Sequence, residues 1–137
     1  MMDNPGLYSL GDLAVTVAGT QVGDWITDLE GMLAALANLR LAYGSGGTTI
    51  RAYLQTSLDG GTTAVDIACV LFQTASETAA LNFSALTPKL TQVVPTDGAL
   101  ADDTAIDGVL GDRLRLKLVS TGVYAGSTVL SGRIHAR

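Results

Sequence analysis

Between Thr49 and Leu58 the side chains alternate strictly: Ile50, Ala52, Leu54, Thr56 and Leu58 share one face, and Thr49, Arg51, Tyr53, Gln55 and Ser57 share the other. A repeat of two belongs to an extended strand, because successive side chains of a strand point to opposite sides. One apolar face and one polar face predict a strand with one side buried and one side wet. Asp59-Gly60-Gly61 follows directly. Glycine takes positive φ freely, so Asp-Gly between two alternating runs signals a hairpin. Beyond it Val65, Ile67, Cys69 and Leu71 alternate with Ala64, Asp66, Ala68 and Val70. Residues 49–58 and 64–72 therefore predict an antiparallel hairpin, and the rest of the chain must supply a sheet around it.

The same period recurs along the sequence. Leu13, Val15 and Val17 alternate with Ala14, Thr16 and Ala18, and Gly19-Thr20-Gln21 closes that run. Residues 22–28, with Trp25 and Ile26, predict a second, short strand. Residues 78–83 predict another, with Leu81 and Phe83 inward and Asn82 out, and residues 90–94 a short one ended by Pro95. Leu114, Leu116 and Leu118 alternate with Arg113, Arg115 and Lys117. In the last run Thr128, Leu130, Gly132 and Ile134 share one face, and Val129, Ser131, Arg133 and His135 share the other.

One segment sets propensity against pattern. Residues 32–41 are rich in Ala and Leu, which favour helix. Yet Leu33, Ala35, Ala37, Leu39, Leu41 and Tyr43 are all apolar, with Asn38 and Arg40 between them. The pattern predicts a strand over 33–43, with a helix over 29–37 as the alternative. About eight strands in one domain predict an all-β, antiparallel two-sheet β-sandwich, jelly-roll-like. Residues 1–10 are expected to be an N-terminal arm and residues 11–137 a single β-sandwich domain. Pro5-Gly6 breaks local structure, while Leu7, Tyr8 and Leu10 give the arm something to dock with.

Composition removes several classes of function. Hydrophobic residues make up 47% of the 137 and charged residues 15%, the reverse of a disordered chain. No apolar run reaches the roughly 18 residues of a membrane-spanning helix. A net charge of −5 disfavours nucleic acid as a partner. Cys69 is the only cysteine, so neither an intrachain disulfide nor a cysteine zinc site is available. His135 is the only histidine, so a catalytic triad would have to use it and a His-rich metal centre is excluded. The first six residues carry neither the basic segment nor the apolar stretch of a signal peptide. No phosphate-binding glycine loop is present, no cofactor is expected, and no group of residues reads as catalytic.

The remaining candidates are modest. Residues 96–111 form a long loop with Asp97, Asp102, Asp103 and Asp107. Calcium favours several such oxygens, but the spacing is not that of a known calcium loop, and a solvated loop is expected. Asp59 and Asp66 could pair as acid and base, although their place around a tight turn favours a structural role. Cys69 should be buried as a small hydrophobe beside Val65, Ile67 and Leu71. Arg113, Arg115 and Lys117 form a basic strand face suited to an acidic partner.

Several segments carry a resemblance: residues 43–49 (Tyr-Gly-Ser-Gly-Gly-Thr-Thr), 55–63 (Gln-Thr-Ser-Leu-Asp-Gly-Gly-Thr-Thr), 66–69, 96–102, 107–115 and 121–126. Over residues 22–137 the chain resembles a group of small proteins encoded in the structural modules of alphaproteobacterial tailed phages and prophages. Many members carry Trp just after the Asp-Gly-Gly-Thr-Thr turn, where this chain has Ala64. The resemblance implies a non-enzymatic virion structural protein, foremost a capsid decoration (cement) protein. Its partners would be the phage major capsid protein and further copies of itself, with no nucleic acid and no membrane. It would be assembled in the host cytoplasm and reside on the capsid surface. Leu7, Tyr8 and Leu10 of the arm, with Arg113, Arg115 and Lys117, would make the partner contacts. Two alternatives stay open: a head–tail connector or tail component, and a carbohydrate-binding module of a receptor-binding spike with Trp25 and Tyr53 as stacking platforms.

Overall fold

The computed structural model describes residues 5–137 of the chain. Among these the structure is all-β. Its strands are β1 (Gly6–Ala14), β2 (Gly19–Val22), β3 (Ala34–Ala42), β4 (Ser45–Gly46), β5 (Thr49–Thr56), β6 (Val65–Phe72), β7 (Glu77–Ser84), β8 (Thr104–Ala105), β9 (Leu114–Thr121), β10 (Tyr124–Ala125) and β11 (Val129–Ala136). One sheet has the order β1-β11-β3-β7 and the other β2-β9-β5-β6-β8, while β4 and β10 pair as a short ribbon. Every pairing is antiparallel. With only the eight strands longer than two residues numbered along the chain, the sheets read 1-8-3-6 and 2-7-4-5.

The two sheets pack face to face around one core. Leu39, Leu41, Leu130 and Ile134 come from the first sheet, and Ile50, Leu54, Phe72, Leu116 and Leu118 from the second, all essentially without solvent contact. Alternation decides which side chains meet there. In β3, Ala35, Ala37, Leu39 and Leu41 are buried while Leu36, Asn38 and Arg40 are exposed. The strand expected over 33–43 is thus present and the helix alternative falls. A helix would have turned part of the odd-numbered apolar set to water, so burial against the second sheet overrides Ala and Leu propensity. The expected hairpin of β5 and β6 is present, as are strands over 78–83, 114–118 and 129–136.

Five expectations are corrected. Residues 6–10 are not an arm. They form the first half of β1, which pairs with β11 from Gly6 opposite Ala136 to Ala14 opposite Val129. Pro5 stands just before the first paired residue, where a missing N–H is tolerated. Residues 1–4 of the expected arm lie outside the described residues. The early strand therefore runs over 6–14 rather than 13–18, and Val17 is exposed. The second strand occupies Gly19–Val22, the stretch expected to turn, and the following segment meets β9 through Gly23 N, which donates to Leu116 O, and through the bridge of Ile26 to Leu114. Residues 90–94 form no strand, and Leu90 is 96% exposed. Alternation makes a strand only where a neighbouring edge can take its hydrogen bonds. Leu58 is also exposed, because the chain leaves the sheet at Ser57. There Ser57 Oγ accepts from Gly61 N at 2.9 Å and donates to Asp59 Oδ1 at 2.9 Å, tying the turn.

The glycine-rich segment 44–47 has a structural purpose. A Cβ on Gly44 would collide with the carbonyl groups of Ala125 and Gly126, and one on Gly47 with the ring of Tyr124. The ribbon of β4 and β10 thus closes one end of the sandwich over Tyr124. That side chain is buried, donates from Oη to the carbonyl of Gln73 at 2.8 Å and meets Tyr43 edge to face.

Candidate interaction surface

Each sheet has one face on the core and one outer face, and the two outer faces differ. On the second sheet, Tyr53, Gln55 and Cys69 point away from the core yet are almost wholly buried. Residues 96–105 cover them. This segment is the expected acidic loop, and it is a strap rather than a solvated loop.

Asp66 anchors the strap. It is fully buried and accepts hydrogen bonds from Gln55 Nε2 (2.8 Å), Thr96 Oγ1 (2.9 Å), Gly98 N (2.8 Å to Oδ2), Ala99 N (2.9 Å) and Leu100 N (3.2 Å). Burial by itself would raise its pKa. The hydrogen bonds from Gln55, Gly98, Ala99 and Thr96 outweigh burial and hold it below the usual carboxylate value. Gln55 is equally well used. Its amide donates to Asp66 and to Asp97 Oδ1 at 2.7 Å, and its oxygen accepts from Arg115 Nε at 2.8 Å. Farther along, Arg51 pairs with Asp102 at 2.7 Å, and Asp103 accepts from Leu71 N at 3.0 Å. Asp107 ties down the following stretch by accepting from Ser84 N and Thr87 Oγ1. Among the described residues no group of three or more His, Cys, Asp or Glu side chains is placed to hold a metal ion.

This network also takes up the basic strand face. Arg113 pairs with Asp112 at 2.9 Å and Lys117 with Asp97 at 2.8 Å. Arg115 stacks on Trp25, 4.3 Å from the ring centre. The three cations expected to meet a partner thus already have partners inside the chain. Asp59 and Asp66 serve different contacts, the first holding the 59–63 turn by accepting from Thr63 N at 2.7 Å. Cys69 is buried as expected, but not beside Val65 and Ile67. It lies under the strap, with Sγ 3.8 Å from Asp102 Oδ1. The strap is not legible locally because its partners are 20 to 51 residues away in sequence. Its one local sign was the density of Asp and Gly at 97–112.

The outer face of the first sheet is open. Strand register lines up Leu7, His135, Leu36 and Asn82 in one row across β1, β11, β3 and β7. Leu7 is 61% exposed and Leu36 46%. A groove of about 620 Å³ runs along this end beside Gly6, Leu36, Asn82, His135 and Arg137. The next rows are Ser9, Arg133, Asn38 and Ala80, then Asp12, Ser131, Arg40 and Thr78. Of the three arm residues expected to touch a partner, only Leu7 faces outward here. Tyr8 packs against the core, and Leu10 sits in a bulge, 3% exposed, beneath Gly132.

The sheet edges differ as well. β1 is interrupted by its bulge, β2 has four residues, and β8 covers part of β6. β7 has eight residues with no bulge, no Pro and no Lys or Arg, the usual devices that blunt an edge. No protein-family model, no curated protein and no solved structure matches the chain.

Proposed function

We propose that the chain is a virion structural protein of a tailed phage, serving as a capsid decoration (cement) protein that bridges major capsid subunits. The observation that carries this reading is the contrast between the two outer faces. One is closed by a strap whose charged groups are internally paired, and the other is a broad, open sheet face that mixes Leu7 and Leu36 with small and polar side chains, the Arg133–Asp12 pair and Arg40. A sandwich with one free face and one long free edge suits docking on an extended protein surface. The strand order 1-8-3-6 and 2-7-4-5 supports it further when read as jelly-roll-like, an architecture recurrent in viral capsid domains. The contact residues then shift from those expected. Leu7 and Leu36, with Arg40 and Asn38, replace Tyr8, Leu10, Arg113, Arg115 and Lys117. The carbohydrate-module reading loses its platforms, since Tyr53 is buried and Trp25 lies under Arg115.

Cryo-electron microscopy of the particle that carries this chain tests the proposal. Many copies spread over the head, with the β1-β11-β3-β7 face toward the shell, are expected. Density confined to the tail or a single vertex overturns it.

A further inference from the structure

The free edge of β7 has a defined hydrogen-bonding capacity. Ala85 N donates to Leu33 O, so Ala85 turns its backbone toward β3. Backbone direction alternates along a strand. Phe83, Leu81 and Ala79 therefore also bond to β3, whereas Ser84, Asn82, Ala80 and Thr78 turn theirs outward. Asp107 accepts from Ser84 N at 2.7 Å and closes that end. Between Thr78 and Asn82, three outward N–H and three outward C=O groups have no partner within the described chain.

We infer that this edge pairs with the same edge of a second copy, antiparallel, across a two-fold axis at Ala80. Three outward residues centred on Ala80 are self-complementary. Ala80 meets Ala80 of the second copy, and Thr78 meets its Asn82, so all six outward groups on each copy are satisfied in a single register. Two-fold pairing is the commonest closed arrangement of identical chains. The side chains agree with this register. Two alanines meet at the axis without crowding, and Thr faces Asn as a polar pair. Half-buried Ala79 and Leu81 come opposite Leu81 and Ala79 of the second copy, which extends the core across the junction.

Charge agrees as well. The only charge on β7 is Glu77, which falls opposite Phe83 of the other copy. The two glutamates then lie roughly 20 Å apart along the strands. That is beyond the screening length of about 8 Å at physiological ionic strength. The result is one continuous eight-stranded sheet whose open faces lie on the same side, independent of what that face binds.

Analytical ultracentrifugation over a concentration series tests the inference. Wild-type protein should pass from monomer to dimer as concentration rises. Ala80→Pro should abolish the dimer and leave the fold intact by circular dichroism, because the N–H it removes points outward and serves no intrachain bond. Thr78→Lys with Asn82→Lys should also give monomer, by placing like charges opposite each other. Thr78→Lys with Asn82→Glu should restore a dimer that weakens with salt. A wild-type protein that stays monomeric throughout overturns the inference and leaves the edge for an extended segment of another protein. A dimer that survives both Ala80→Pro and the double lysine change overturns it too.

Discussion

Gln55 Nε2 lies 2.8 Å from Asp66 Oδ1, and this pair joins the β5–β6 hairpin to a strap about thirty residues farther along the chain. Asp66 holds the start of the strap through three consecutive backbone N–H groups, those of Gly98, Ala99 and Leu100. Asp66→Asn keeps the shape but sets an NH2 group among donors. It should destabilise the protein by about 1.5–3 kcal/mol, the range for losing a hydrogen-bonded charge. Urea denaturation should show this as a lower midpoint with little change in slope.

The strap should also make stability fall at acid pH. Hydrogen bonds from Lys117 and Gln55 lower the pKa of Asp97, and that from Arg51 lowers the pKa of Asp102. Asp66 is lowered too. A carboxylate held below its unfolded pKa of about 3.9 stabilises the fold above that pH. It loses this contribution as pH falls through the lower folded value. The melting temperature should therefore be flat from neutral pH to about 5 and drop below about 4. Hydrogen exchange should show residues 96–105 opening first.

Cys69 should be unreactive in the native state. Burial and the neighbouring Asp102 charge push its thiol up to about 11, so little thiolate exists at neutral pH. Labelling by a thiol reagent should be slow in the wild type and much faster in Arg51→Ala, which releases Asp102 from the strap's ion pair. Equal rates in the two proteins would show that the strap does not gate access.

Gly132 leaves room for two leucines. A Cβ there would lie 2.8 Å from Leu116 Cδ1 and 3.0 Å from Leu10 Cδ1. Gly132→Ala should cost about 1–3 kcal/mol through overpacking. Combining it with Leu10→Ala should cost less than the sum of the two single changes, since one makes space for the other. Thermal melts of the three variants measure this.

Removing residues 1–10 should damage the sandwich rather than trim it. The deletion takes away half of β1 and the buried Leu10, exposing part of β11. Loss of a buried leucine alone costs roughly 2–5 kcal/mol. Differential scanning calorimetry should show a large fall in melting temperature, and a deletion variant as stable as the full chain would contradict the pairing of β1.

Alternation along the chain marked several strands and the turns between them: β5 and β6 around Asp59-Gly60-Gly61, β9 with its three leucines, β11, and β3 against its own helix propensity. Side-chain direction in a strand is a local property, so neighbouring residues suffice to read it. What covers each face is not local and depends on segments distant in sequence. Tyr53 and Gln55 read as a wet face and are buried, because residues 96–105 return to lie over the sheet. Arg113, Arg115 and Lys117 read as a free basic face, yet Asp112, Trp25, Gln55 and Asp97 hold them. Leu7, Tyr8 and Leu10 read as an arm, but β11, some 120 residues later, offered an edge that made them a strand. Periodicity states which side chains share a face, and only the path of the distant chain states whether that face meets water, a strap or the core.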